Sequence, residues 1–252
     1  MNKAAALITI IIVIVLQSPQ IAAQIPQNIL SFTFINTINS TPLMLDSGNY
    51  INQFNENYSI SKLKYYISNV QLHTNNQYVF KEANSYHLID ESDTGSKSFS
   101  IMPLSNTYTS LSFIIGVDSF KNVSGAQTGA LDPLNGMFWT WNTGYVMFKL
   151  EGRSPQSHLA NNKIEYHIGG FKSPNSVLRV VELKIPSSYQ IIKKNSNASI
   201  IIGLDIGQLW NADHNFKIAQ TPACTVPGEL SSNIADNYSK LFRILEITNT
   251  TR

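Results

Sequence analysis

The chain has 252 residues, of which 43% are hydrophobic and 13% are charged, and its formal net charge is +2. Such sparse and nearly balanced charge lacks the clustered Lys and Arg of a nucleic-acid-binding surface, so nucleic acid is not an expected partner. The single cysteine, Cys224, cannot form an internal disulfide, which excludes a scaffold held together by disulfides.

The N-terminal segment has the order of a secretory signal peptide. Lys3 supplies a positive charge, residues 4–16 are apolar apart from one threonine, and Ile21-Ala22-Ala23 ends the segment with small residues. The apolar stretch is too short for a bilayer-spanning helix, which needs about 20 residues. The sequence therefore predicts a signal peptide over residues 1–23 and a mature chain over 24–252 without a membrane span. The protein is expected in the periplasm or secreted; an uncleaved N-terminal anchor is the alternative.

Short β-strand patterns dominate the mature chain. The stretches that are rich in β-branched and aromatic residues, or apolar at every second position, are 29–35, 63–72, 78–81, 86–89, 98–102, 110–117, 145–150, 164–168, 177–185 and 199–206. Alternation with period two means that one strand face is buried and the other solvated. Because turn residues separate these stretches, the sequence predicts a single, mainly β domain, an antiparallel β-sandwich or barrel.

One short helix is expected near the C-terminus, packed over an open end or edge of the sheets. The apolar residues that recur there at helical spacing are Ile234, Tyr238, Leu241, Phe242 and Leu245. Ser231 or Ser232 is a suitable N-cap. Residues 119–136 show no clear strand pattern, and loops of that length are commonly functional or packed as ordered Ω-type structures.

Two of the three tryptophans stand close together in the sequence. Trp139 and Trp141 lie between Gly136 and Gly144, after the long loop and before an apolar run. In an extended segment both indoles would point to the same side. The pair is therefore either a packed aromatic corner or part of a site.

The five histidines form no sequential metal-binding motif, so a metal site would have to be assembled across strands. His87 and His167 each follow a tyrosine inside a predicted strand, and alternation places His167 on the same face as Glu165. A lone strand histidine is more often structural, whereas two histidines on neighbouring strands would favour ligation. No nucleophile, base and acid are grouped in the sequence, so an enzyme is not expected.

An ordered series of motifs carries a family resemblance. These motifs are LKYYISNVQL at 63–72, YHLID at 86–90, GVD at 116–118, NVSGAQTGALDPLNGMFWTW at 122–141, GY at 144–145, KLEG at 149–152, YHIGG at 166–170 and IADN at 234–237. Together they resemble the MbnP-like family of periplasmic copper-associated proteins over roughly residues 28–246.

The resemblance implies a β-rich periplasmic protein that binds copper through two histidines and a tryptophan oxidised to kynurenine. A partner di-haem peroxidase of the MauG type would carry out that oxidation. By resemblance, His87 and His167 are the candidate copper ligands, and Trp139 or Trp141 is the candidate modified, cofactor-binding residue. Neutral imidazole suits copper among the first-row metals. The alternative is a structural or interaction module without metal, in which the tryptophan cluster is simply packed.

Overall fold

The computed structural model describes residues 28–75, 77–125, 127–140, 144–189, 192 and 196–251, without the side chains of 250 and 251. The signal-peptide prediction over residues 1–23 and the candidate residue Trp141 lie outside these residues. Within them, no helix has both the length and the apolar character needed to cross a membrane.

Strands make up most of the regular structure. They are β1 (Ile29–Ile38), β2 (Thr41–Pro42), β3 (Tyr50–Ile51), β4 (Asn57–His73), β5 (Val79–Lys81), β6 (Tyr86–Asp90), β7 (Ser98–Ile101), β8 (Ser110–Ile115), β9 (Phe138–Trp139), β10 (Gly144–Arg153), β11 (Lys163–Gly169), β12 (Arg179–Lys184), β13 (Ser196–Asp205), β14 (Ala223–Cys224) and β15 (Phe242–Thr251). The α-helices are α1 (Ser119–Val123) and α2 (Glu229–Ser239). Each strand stretch predicted from the sequence overlaps one of these strands, so the mainly β prediction is confirmed.

The strands form two sheets that pack as a sandwich. The first sheet has the order β15-β13-β1-β2, with β7 also beside β1. The second has the order β12-β8-β4-β10-β11-β14, with β3, β5 and β6 paired to β4 and β9 paired to β10. Most neighbours are antiparallel, but β1–β13 and β11–β14 are parallel. The two sheets are therefore mixed. Parallel pairing is possible in these two pairs because their strands are distant in the chain and are not joined by a hairpin turn, which would make them antiparallel.

Aromatic side chains fill the space between the sheets. The ring of Phe34 on β1 lies 6.3 Å from that of Tyr65 on β4 and 6.2 Å from that of Phe113 on β8, both edge-on. All three side chains are essentially fully buried. Each such pair contributes about 0.5–1.5 kcal/mol beyond the burial of its area. Tyr65 thus lies on the inner face of the second sheet. The outer face of the second sheet is the one turned away from the first sheet.

The predicted C-terminal helix is present only in its first part. Helix α2 ends at Ser239, whereas Phe242 and Leu245 lie in β15, which pairs with β13. The sequence after Lys240 is rich in β-branched residues, and the edge of the first sheet offers it backbone partners. The apolar spacing that indicated one helix therefore belongs to a helix followed by a strand.

The start of α2 also differs in detail from the prediction. Its N-cap is Gly228, and Ser231 occupies the third helical position. The Gly228 backbone N–H donates to the Ser231 hydroxyl at 2.9 Å, and that hydroxyl donates to the Gly228 carbonyl at 2.8 Å. Ser231, one of the two serines predicted as N-cap, thus does bond to backbone groups at the start of the helix, but it does so from inside the first turn.

Candidate functional site

Trp139 lies at the end of β9 and pairs with Gly144 at the start of β10. Its side chain is 7% exposed. The six-membered ring rests on Gly169 of β11, where an added Cβ would come within 2.5 Å of Trp139 Cζ3 and 2.7 Å of Cη2. Glycine at position 169 is therefore what allows the indole to lie against the strand.

A cavity of about 610 Å³ opens beside this indole, and we call it the Trp139 pocket. Its walls come from the end of α1, the β9–β10 hairpin, residues 170–175 and Pro227. Among the described residues that line it, three are aromatic: Phe138, Trp139 and Phe171. This volume lies within the range of about 300–1,000 Å³ that is typical of small-molecule sites.

Asn122 fixes the α1 wall of the Trp139 pocket. Its side chain is 4% exposed, and its amide N–H groups donate to the carbonyls of Val117 at 2.6 Å and Asp118 at 2.9 Å. Its side-chain oxygen accepts from the Tyr145 backbone N–H at 2.9 Å. Since one buried amide ties α1 to β10, the wall is held in place before any ligand arrives.

Two tyrosines anchor the long loop to the outer face of the second sheet. The Tyr66 hydroxyl donates to the Ala130 carbonyl at 3.0 Å, and the Tyr145 hydroxyl donates to the Leu131 carbonyl at 2.7 Å. Burial raises the pKa of both hydroxyls, so both remain protonated donors. The described part of the loop is thus packed against the sheet, as in an Ω-type structure, which is one of the two alternatives expected for it.

Two lysines hold the end of the same loop. The Lys64 ammonium lies 3.4 Å from the Asn135 carbonyl oxygen, and the Lys149 ammonium donates to the Gly136 carbonyl. Lys64 also pairs with Asp90 at 2.7 Å. Burial lowers the pKa of the Lys149 amine. These contacts fix the position at which the chain enters β9 and therefore the position of Trp139.

His167 lies on the same outer face as Trp139 but points away from it. It precedes Gly169 by two positions on β11, and its Nε2 is 2.8 Å from a carboxylate oxygen of Glu151. Glu151 stands opposite Glu165 in the ladder, on the side of His167 remote from Gly169. The imidazole is therefore directed along the strand away from the indole, although both lie on one face of the sheet. His167 shares that face with Glu165, as the alternation predicts.

His87 lies on the inner face of the sheet. Its ring stacks on Phe99 of β7 with centroids 3.5 Å apart and planes at 4°. Its Nε2 is 3.0 Å from both carboxylate oxygens of Glu82. Because Phe99 belongs to the first sheet, the imidazole closes the gap between the two sheets. In this position the His87 ring contacts Phe99 and Glu82.

The two candidate copper ligands are not neighbours. His167 stands opposite Lys149, Lys149 opposite Lys64, and Lys64 opposite Asp90, which is three positions from His87. Three strand spacings amount to roughly 14 Å. The odd separation from Asp90 also places His87 on the opposite face. Metal–imidazole bonds are about 2 Å long, so one copper ion cannot reach both rings in this arrangement.

The described side chains therefore do not fit the expected copper site. No group of three or more His, Cys, Asp or Glu residues in the described ranges is placed to hold a metal ion. The register of β6 against β4, together with the pairings of β10, places the imidazoles of His87 and His167 on opposite faces of the sheet. Of the candidate residues in the described ranges, Trp139 is the one that lines this cavity.

Sequence reasoning missed several residues of the pocket. Gly169 and Gly170 follow the predicted strand 164–168, where adjacent glycines indicate a turn, yet Gly169 ends β11 beneath the indole. Gly170 has φ +118°, and an added Cβ would lie 3.0 Å from Pro227. Phe171 and Lys172 carry no periodic signal. The adjacent glycines were the usable clue, since glycine often marks a close approach of another group.

The stability of the protein at acidic pH should depend on the contact between His167 and Glu151. The hydrogen bond from His167 is the main reason why the pKa of the Glu151 carboxyl falls from 4.5 to about 2. A lowered pKa in the folded state stabilises the protein fully above about pH 4.5, and that contribution is lost as the pH falls toward 2. We expect His167→Ala to move the acid-unfolding midpoint upward by about half a pH unit, measured by circular dichroism.

The exposed residue His158 provides the control for this prediction. His158→Ala should leave the acid midpoint where it is in the unmodified chain. Identical acid-unfolding midpoints for His167→Ala and His158→Ala would show that the contact between His167 and Glu151 does not contribute to acid stability.

Two mixed sheets packed face to face, with an aromatic pocket beside a buried tryptophan, define a β-sandwich protein with a small-molecule-sized cavity. The chain belongs to the MbnP family, since the sequence model of that family, described as MbnP, matches residues 27–226. The resemblance drawn from the motifs is thereby confirmed.

The fold is similar to the solved structure of MbnP from Methylosinus trichosporium, with a TM-score of 0.53 and 12% sequence identity. The match covers 89% of this chain and 99% of that chain. At this identity the likeness shows the fold alone. No curated protein sequence matches the chain.

Proposed function

We propose that this MbnP-family chain is an exported binding protein that acts without turnover and holds its ligand in the Trp139 pocket. The observation that carries the proposal is the pocket itself, a cavity of about 610 Å³ with three aromatic walls. The motifs at 122–141 and 144–145 supply Asn122, Trp139 and Gly144 to the cavity wall, and the motif at 166–170 supplies Gly170 to the wall and Gly169 beneath the indole. Their convergence supports a ligand site.

The side chains around the cavity support binding better than catalysis. Burial raises the pKa of the Cys224 thiol to about 11, which leaves it protonated and unreactive near neutral pH. His73 Nε2 lies 2.7 Å from the Ser112 hydroxyl, but neither residue lines the Trp139 pocket. The polar side chains among the described lining residues are those of Asn122, Lys172, Ser173 and Asn175. None of the described lining residues is a histidine or carboxylate that could serve as the base for a nucleophile.

Binding at the pocket can be tested with a small neutral aromatic compound. We expect 3-phenylpropanamide to shift the indole N–H signal of Trp139 in spectra of protein labelled with ¹⁵N-tryptophan, because that indole lines the cavity. Trp210 is fully buried elsewhere in the core, so its signal should not move. Trp139→Phe and Trp141→Phe assign two of the three indole signals, and the third is that of Trp210. Absence of any shift of the Trp139 signal at millimolar probe, or an equal shift of the Trp139 and Trp210 signals, would count against the pocket as the site.

Oxidation of a tryptophan, which the resemblance implies, forms a second candidate function. We propose Trp139 as the residue that a di-haem partner enzyme would convert to kynurenine, because the pocket gives access to one side of its buried indole. Phe120 and Val123 are 73% and 69% exposed beside that opening and offer a partner protein an apolar surface. Peptide mass mapping of protein from the native host tests this proposal through the loss of one carbon and the gain of one oxygen at Trp139. An unmodified Trp139 would contradict it.

Copper titration tests the histidine assignment separately. Since His87 and His167 lie on opposite faces, we expect no cuprous ion bound jointly by them. Copper affinity is measured in competition with a chelator. We therefore do not expect His87→Ala and His167→Ala both to abolish submicromolar copper binding. One equivalent of copper that is retained by the unmodified chain and lost in both variants would overturn the arrangement described above.

A further inference from the structure

The geometry points to a small aromatic carboxylate as the ligand class of the Trp139 pocket, with the Lys172 ammonium as its counter-charge. This inference rests on the proposed function and adds the chemistry of the ligand to it. Three features of the cavity support it: its charge, its walls and the state of its polar groups.

Lys172 is the sole ionisable side chain among the described residues that line the cavity. It is exposed, and it forms no ion pair with the residues that the structure describes. Its Nζ lies 5.7 Å from the ring centroid of Phe171, which is another lining residue. A cation held over an aromatic wall, with no acidic side chain lining the same described cavity, favours an anionic group at this position.

The walls favour a flat apolar body for the rest of the ligand. Phe138, Trp139 and Phe171 offer ring surfaces, and Pro174 and Pro227 add apolar contacts. Aromatic groups pair with such rings in stacked or edge-on geometry, at about 0.5–1.5 kcal/mol per pair beyond burial of area.

The polar groups of the wall argue against a ligand that carries many hydroxyls. The deepest amide, that of Asn122, is already bonded to two carbonyls and one backbone N–H. Ser173 and Asn175 remain as neutral polar lining residues. A sugar would leave several hydroxyls without partners, and each unpaired polar group costs free energy. One acidic group on an aromatic frame needs only the ammonium of Lys172.

The test compares 3-phenylpropanoate with its neutral amide, 3-phenylpropanamide, in the full mature chain. We expect the carboxylate to bind about three- to fivefold more tightly at low salt, because an exposed charge pair contributes modestly. The preference should disappear in Lys172→Gln and shrink at high salt. Lys163→Gln is the matched control, since Lys163 is exposed at the opposite end of β11 from Gly169. Both dissociation constants are read from the Trp139 indole signal.

The outcomes separate this inference from the proposed function. If neither compound shifts the Trp139 signal, the pocket is not the site and both proposals fail. If both compounds bind equally, the pocket binds ligands but the carboxylate class is wrong. If the carboxylate preference survives in Lys172→Gln, the assigned counter-charge is wrong. Only a preference that is lost in Lys172→Gln and kept in Lys163→Gln supports the inference.

Discussion

Asn237→Ala is expected to lower the free energy of unfolding by about 3–5 kcal/mol, because it leaves several buried backbone groups without partners. The Asn237 side chain is fully buried in α2. Its oxygen accepts from the backbone N–H groups of Asp213 at 2.9 Å and His214 at 2.7 Å. Its amide donates to the carbonyls of Leu209 and His214, both at 2.7 Å. This one residue therefore ties α2 to the segment after β13.

Urea unfolding of the variant measures the effect. Asn233→Ala is the matched control, because Asn233 lies on the same helix and is only partly buried. That variant should remain within about 0.5 kcal/mol of the unmodified chain. If the two variants were equally stable, the bonds of Asn237 would not hold the helix in place.

Gly169→Ala is expected to destabilise the fold by about 2–3 kcal/mol and to displace the Trp139 indole. The new Cβ would lie 2.5 Å from the indole and 2.8 Å from the carbonyl oxygen of Tyr145. The carbonyl belongs to β10 and cannot move away, so the side chain of Trp139 must shift. Because that indole forms a wall of the pocket, binding of 3-phenylpropanamide should weaken in parallel.

Gly228→Ala serves as the control for added volume, because an added Cβ there meets nothing within 4 Å. Urea unfolding gives the stability of both variants, and near-ultraviolet circular dichroism reports the indole environment. A Gly169→Ala protein that kept full stability and an unchanged tryptophan spectrum would show that the close contact at Gly169 is not required.

The strands were predictable because the alternation of apolar and polar residues that indicates a strand is local in the sequence. On β11, alternation alone placed His167 on the solvated face, and the structure has Ile164, Tyr166 and Ile168 fully buried on the other. The parallel pairing of β1 with β13 was not predictable, since it joins segments about 170 positions apart without a turn signal. β15 was missed because Leu241, Phe242 and Leu245 continue the helical spacing of α2 by coincidence.

The site could be predicted only in part. The sequence indicated Trp139 as a residue beside a loop that either packs or belongs to a site, and the structure places it at the cavity. The relation of His87 to His167 depends on the register of β6 and β10 against β4, which no local pattern encodes. Lys172 belongs to the site through the path of the chain after β11, and nothing in its sequence neighbourhood indicates this.

The central claim is that the functional site of this chain is the Trp139 pocket. A crystal structure of the protein purified from its native host tests it most directly. The account predicts ligand density against Trp139 and Phe171, with His87 bonded to Glu82 and His167 bonded to Glu151. A metal ion bound by both His87 and His167, beside an empty pocket, would contradict it.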